Sequence, residues 1–358
     1  MTQTLGALAE SVSGALTGNP AEPITGAAAI ESARPTEITF LLDDSQLRRL
    51  EQCQAAALVI GSKGADHPAA ARFARIVVDD PHAAFLKIVP KFRPHRPRPA
   101  RGLAPSAVIS PTATIGPDCW IGPHVSIGDG VVIGQGCDIH PGVVIGDGCQ
   151  IGNHVTLHPN VVLYADAIIG DRVIIHAGAV IGADGFGYRF RDGKFEKVPQ
   201  LGWVHIQADA EIGACTTIDR GAIGATVIGE GTKIDNLVQI AHNCEIGRHN
   251  VFASQVGLAG SCSTGDYVRL GGQVGVKDHV RMNTGCAIGA KGGVHKDIPA
   301  GETWIGYPAT PEAEQKRLVF SLKRVPEMRE QMKAMETKLA ALTAELAALK
   351  NEPEHKAA

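Results

Sequence analysis

The sequence predicts a mainly β fold: a left-handed parallel β-helix of hexapeptide repeats, with a small N-terminal α/β domain and C-terminal α-helices. Three observations predict it. Every sixth residue from Ile115 to Ile181 is Ile or Leu, twelve positions in a row, and glycine follows most of them. A second run from Ile228 to Val294 is apolar at eleven of twelve positions, Thr264 being the exception. The chain has 42 glycines in 358 residues but only 4% aromatics, so its interior must be filled by aliphatic side chains rather than rings.

A fixed period of six signals a stacked solenoid. Each hexad makes one short strand and a turn. The aliphatic residue points inward, the following glycine relieves the turn, and a small residue four positions on (Cys119, Val125, Val131, Cys137) fits a tight corner. Three hexads close a triangular coil of eighteen residues, and coils stack ~4.8 Å apart. The left hand comes from what is known of hexapeptide prisms, against the usual crossover rule; periodicity does not supply it. Residues eighteen apart should therefore stack. His140, His158 and His176 should form a ladder along one edge, read as a structural or subunit-contact feature in preference to a metal site. Cys119 and Cys137, like Cys244 and Cys262, should be corner-filling hydrophobes and not nucleophiles.

Residues 1–103 lack the hexad. ITFL (38–41), AAALVI (55–60) and ARIVVDD (74–80) read as buried strands, and 43–53 and 80–89 as helices. A Pro- and Arg-rich linker over 89–102 leads into the prism, expected over 104–310. The aromatic-rich stretch 184–205 breaks the repeat and reads as a looped-out groove wall or a plain surface excursion. Beyond Pro311, apolar residues from Val325 to Leu349 alternate spacings of three and four. They form a heptad seam that should pair with copies of itself, most economically as a trimer, or fold back into a bundle. Seven Lys and Arg between 316 and 338 make a solvated face or a dock for an acidic partner.

With 34 basic and 37 acidic residues, net charge is near zero and gives no support for bulk nucleic-acid binding. No stretch of eighteen apolar residues suggests a membrane span, the first twenty residues do not read as a signal peptide, and the eight cysteines are scattered without CxxC. The expectation is a cytoplasmic protein with reduced thiols.

Against this uniform frame, IDNLVQIAHNCEIG (234–247) concentrates Asp235, Asn236, Gln239, His242 and Asn243. His242 follows the inward Ile240 by two residues, which places it on the outer surface. Asp235, one hexad and one residue earlier, is a candidate to fix the ring tautomer and leave the other nitrogen free as a base. Eighteen residues beyond His242 is Gly260, whose bare backbone N–H is a candidate donor to a developing oxyanion. His279 lies two coils and one residue on and is a candidate to hold the donor or assist proton transfer. Base, oxyanion donor and groove suggest acyl transfer. An ordinary histidine titrates near pH 6.5 and can accept a proton from an amine at neutral pH.

The segments GADGFGY (182–188), EIGACTTIDRGAIGA (211–225), KIDNLVQIAHN (233–243) and GGQVGVKDHV (271–280) resemble the UDP-3-O-(3-hydroxyacyl)glucosamine N-acyltransferases of lipid A biosynthesis. The resemblance implies transfer of a 3-hydroxyacyl chain from acyl carrier protein to the 2-amine of a UDP-3-O-acylglucosamine. It implies His242 as general base, a functional His279, and a homotrimer with sites in grooves between subunits. It implies no cofactor beyond the 4′-phosphopantetheine carried in by the donor. The N-terminal domain would recognise uridine, with Phe40 against the base and Asn236, Gln239 and Asn243 as further substrate contacts. The family pairs that Phe with a Tyr about six residues on; here the position holds Gln46. Three rival readings remain: another hexapeptide acyltransferase with an acyl-CoA donor and a different amino-sugar nucleotide, a zinc-dependent hexapeptide hydratase, and a purely structural β-helix.

Overall fold

In the computed structural model, which describes residues 1–42, 44–93, 102–306 and 311–350, the chain divides into two compact units, Met1–Pro99 and Ala100–Ala358. The first holds a five-stranded sheet. Its order is Ala15–Thr17, Ala74–Val77, Ala57–Ile60, Glu37–Phe40, Gly26–Ala27, parallel throughout except for the first edge strand. The helix Pro81–Phe92 starts where its sequence directs. Asp80 Oδ1 accepts the Ala83 amide at 2.9 Å, and proline occupies the first turn, where no N–H is needed. The segment expected as a helix over 43–53 is a 3₁₀ helix, Asp44–Gln52. The expected linker is helical as far as Phe92, and residues 94–101 lie outside the described residues.

The hexads build three long parallel sheets of nine, eleven and ten strands, one for each face of a triangular prism. The ladder begins at Gly102–Leu103, which pair with Trp120–Ile121, slightly before the expected start at 104. Ile121 pairs with Ile139, Ile139 with Leu157 and Leu157 with Ile175, a step of eighteen. The step lengthens twice. Ile181 pairs with Ile218 across the aromatic insertion, and Ile218 pairs with Ile240 across four extra residues near 221–224. Beyond that the period is regular again, Ile240 pairing with Leu258 and Leu258 with Val276.

The aliphatic column is dry: Ile121, Ile139, Ile175, Ile181, Ile212, Ile218 and Ile240 are all fully buried. Each contributes about 1.5–3 kcal/mol by leaving water. The corner thiols donate to turn carbonyls fifteen residues on, Cys137 to Gly152 O at 3.2 Å and Cys244 to Ala259 O at 3.3 Å. Burial pushes the Cys137 and Cys149 thiols up to about 11, so neither is a thiolate near neutrality. The histidine ladder forms. His140 and His158 stack at 5.0 Å, His158 and His176 at 4.8 Å, with Trp120 edge-on to His140. Burial lowers the His140 and His158 pKa values, and the ladder ends on Glu211, 3.1 Å from His176.

Within 184–205 the chain makes a hairpin, Tyr188–Arg191 with Lys194–Lys197, and Trp203–Ile206 has already rejoined the wall. The C-terminal segment is one helix, Glu312–Lys350, where several were expected. Its seam is exposed, with Met332 at 61% and Leu339 at 67% accessible, so an apolar stripe is left for a partner to cover.

Candidate active site

His242 opens the turn that follows the strand Gln239–Ile240. The inward Ile240 and the buried Cys244 fix the backbone on either side, and Asn243 makes the corner with φ +58°. The ring is therefore on the outer wall, half-buried. It lies between two glycines. A Cβ at Gly260 would stand 2.6 Å from His242 Cε1 and 2.7 Å from Nε2, and one at Gly185 would stand 2.6 Å from His242 Cβ. Backbone bonds bind the stack together: Ser261 N–H donates to His242 O at 2.9 Å, and His279 N–H to Gly260 O at 3.1 Å. The eighteen-residue coil thus brings His242 and Gly260 together.

The Gly260 amide is available. At several other corners the first turn amide is capped by a side chain one coil on, as Asp129 is by Asp147, Gln135 by Asn153 and Arg248 by Asp266. Asp278 stands in the capping position for Gly260, yet the Gly260 N–H makes no hydrogen bond within the described residues.

Asn243 settles the tautomer. Its Oδ1 accepts from the Ala222 amide at 2.9 Å, and its Nδ2 donates to Ile223 O at 2.9 Å. An N–H can only donate and a carbonyl can only accept, so the amide cannot be flipped. His242 Nδ1 lies 3.2 Å from that same Oδ1 and must donate to it. In the neutral ring Nε2 is then the unprotonated nitrogen, and it faces Gly260.

This overturns the role expected of Asp235. Its Oδ1 accepts from the Asn236 amide at 2.7 Å and from Asn236 Nδ2 at 3.0 Å, on the preceding corner. There it lines a separate cavity of about 510 Å³ with His176, Glu211 and Lys233. A step of one hexad plus one residue turns a corner of the prism, so Asp235 and His242 belong to different edges. Asn236 goes with Asp235, its Oδ1 held by the Ala214 amide at 2.7 Å. The amides of Asn236 and Asn243 thus brace turns, and Asn236 also lines the cavity beside Asp235. Gln239 likewise donates from Nε2 to Asp219 Oδ2 at 3.0 Å and contacts the Thr217 hydroxyl. His279 is exposed with φ +59°, and its ring makes no hydrogen bond within the described residues. Phe40, in the N-terminal unit, stacks on Phe85 at 4.6 Å beside His82, and Gln46 accepts the Leu42 amide at 3.1 Å.

A cavity of about 980 Å³ runs along this wall. Asp184, Gly185, Phe186 and Tyr188 from the hairpin root form one side, Asp219 and Gln239 one end, and Leu258, Val276 and Val294 an apolar floor. Three glycines in ladder register, Gly257, Gly275 and Gly293, keep the floor low, with no atom near the place of a Cβ at Gly257 or Gly275. The glycine row and Asp219 were legible in the sequence only with the coil step in hand: the glycines are eighteen apart, and Asp219 precedes Ala241 by the lengthened step of twenty-two. Met282 is fully buried in the core.

Residues 22–90 match the family described as UDP-3-O-(3-hydroxymyristoyl) glucosamine N-acyltransferase, LpxD, and residues 112–147, 148–183 and 225–260 match the bacterial transferase hexapeptide repeat. A UDP-3-O-acylglucosamine N-acyltransferase of Methylorubrum extorquens strain PA1 is 45% identical over 331 residues, 90% of this chain and 94% of that one. Its counterpart from Methylobacterium nodulans is 56% identical over 142 residues, 40% of each chain. The solved structure of Arabidopsis UDP-N-acetylglucosamine acyltransferase is 27% identical, with a TM-score of 0.47, covering 57% of this chain and 71% of that one. With identity at this level along almost the whole length, the chain belongs to the UDP-3-O-acylglucosamine N-acyltransferase family and is an acyltransferase.

Proposed function

We propose that the protein moves a 3-hydroxyacyl group from acyl carrier protein to the 2-amine of UDP-3-O-(3-hydroxyacyl)glucosamine, an amide-forming step of lipid A biosynthesis, with His242 as general base. The carrying observation is the unprotonated His242 Nε2 set against the uncapped Gly260 amide. The substrate nitrogen attacks the thioester carbonyl; a C–N bond forms and the C–S bond breaks. Nε2 takes the amine proton and returns it to the departing thiolate, so the products are an amide and a thiol and the histidine ends neutral. Gly260 N–H supports the oxyanion as it develops. No cysteine is needed as a nucleophile, in keeping with the buried Cys244 and Cys262.

The apolar cavity floor suits an extended acyl chain, and the exposed C-terminal seam suits assembly as a trimer, whose basic face would meet an acidic carrier. Phe40 is the uracil contact in this reading, without an aromatic at position 46. The setting is the cytoplasm of a Gram-negative bacterium.

The direct test is incubation with a UDP-3-O-acylglucosamine and a 3-hydroxyacyl thioester on either acyl carrier protein or coenzyme A. The expected product is heavier by one acyl group, with carrier protein the better donor; a preference for coenzyme A would overturn the donor assignment. Filling the floor with Gly275→Leu is expected to lower turnover of a long-chain donor by at least ~10-fold while sparing a short-chain one, read by competition between the two. Equal losses on both would remove the glycine row from acyl recognition.

A further inference from the structure

Asp219 ends the strand Thr217–Asp219 and is 8% exposed, at one end of the cavity of about 980 Å³. Gln239 Nε2 donates to its Oδ2 at 3.0 Å, but among the described residues it has no ion-pair partner. A carboxylate this buried is expensive to ionise without a counter-charge. Two of the other charged groups here, Asp184 and Arg220, are engaged. Asp184 takes the Lys197 ammonium, with Arg220 4.0 Å from its other oxygen. The Arg220 guanidinium is spent on Gly182 O at 2.7 Å and Ala165 O at 3.0 Å. Tyr188 lines the hairpin side, and Lys277 and His295 line the cavity two and three coils beyond Ala241. Asp278 and His279 are exposed on the coil past Gly260. The Cys244 thiol donates to Ala259 O. In the ladder Ile218 pairs with Ile240, so Asp219 lies one coil from Ala241, the residue before His242. Burial pushes the Asp219 carboxyl above the usual range, while the Gln239 bond and a charge on His242 pull it back.

We propose that Asp219 is a positioning residue for His242, a carboxylate held by Gln239 without a fixed counter-charge so that it stabilises the imidazolium formed when His242 takes the amine proton. The proposal rests on the base assignment above. Asn243 fixes which nitrogen is free; Asp219 favours the charged state that this nitrogen passes through. The two jobs are separable because Asn243 is neutral and bonds Nδ1 directly, whereas Asp219 acts through space.

Asp219→Asn removes the charge and keeps an oxygen for Gln239. The expected result is a 10–100-fold fall in kcat with little change in KM. The acid limb of the pH–rate profile should move to lower pH, because removing a nearby carboxylate disfavours the charged ring. A thermal midpoint no lower than the parent's shows that the fold is intact. Added to His242→Ala, the substitution should cost nothing further. A profile superimposable on the parent's, or a full additional loss on the His242→Ala background, overturns the proposal while leaving the base assignment standing. Near-parental turnover in His242→Ala alone would remove both.

Discussion

His242→Ala lowers turnover by about 10²–10⁴-fold and leaves the prism folded. The loss comes from removing the unprotonated nitrogen next to the reacting amine. The fold survives because the coil is held by backbone bonds that do not involve the ring: Ser261 donates to the carbonyl of residue 242, and Ile240 remains in the core. Asn243 keeps its bonds to Ala222, Ile223 and Thr226, so the adjacent corner stays in place. His242→Gln separates base chemistry from hydrogen bonding. An amide in this position can still bond Asn243 but cannot accept a proton, so it should be as slow as alanine. The measurement is single-turnover formation of the amide, with circular dichroism and the thermal midpoint as controls for folding. Turnover within a few-fold of the parent in either variant would exclude His242 from proton transfer.

The prism was legible because its signal is local and repeated: each hexad specifies one strand and one turn, and eighteen residues return the chain to the same edge. That arithmetic placed Gly260 against His242 without reference to any distant contact. It failed for Asp235, where nearness in sequence hides a turn of the prism, and missed Asp219, where four extra residues near 221–224 shift the register. Asn243 was read as a substrate contact because its type suits one; only the positions of Ala222 and Ile223 reveal that both ends of its amide are taken. The N-terminal unit was partly legible. Its buried strands announced themselves as apolar runs, whereas the edge strands Ala15–Thr17 and Gly26–Ala27 carry too little hydrophobic pattern to be seen. The helix seam was plain from its heptads, but what covers it depends on other copies of the chain, which a pattern of apolar residues does not specify.

Gly260→Ala should lower turnover by at least about 10²-fold, although it adds a single methyl group at a turn. The backbone there is not left-handed, so alanine meets no conformational penalty. The effect is purely one of space. The new Cβ would fall 2.6 Å from His242 Cε1 and 2.7 Å from Nε2, well inside contact distance. Gly185 flanks the ring on its other side, where a Cβ would lie 2.9 Å from Cδ2. The imidazole must swing out of the slot, breaking its bond to Asn243 and carrying Nε2 away from the Gly260 amide. Gly272→Ala is the matched control. Gly272 opens the equivalent turn on another edge, and a Cβ there meets only Ser254 O at an ordinary 3.5 Å, so its turnover should equal the parent's. Comparable losses in both variants would show that the turns tolerate no side chain at all, and that the slot around His242 has no special part in the reaction. A loss confined to Gly260→Ala, with an unchanged thermal midpoint, is the expected outcome. It would tie the rate to the contact between the His242 imidazole and the bare backbone at Gly260.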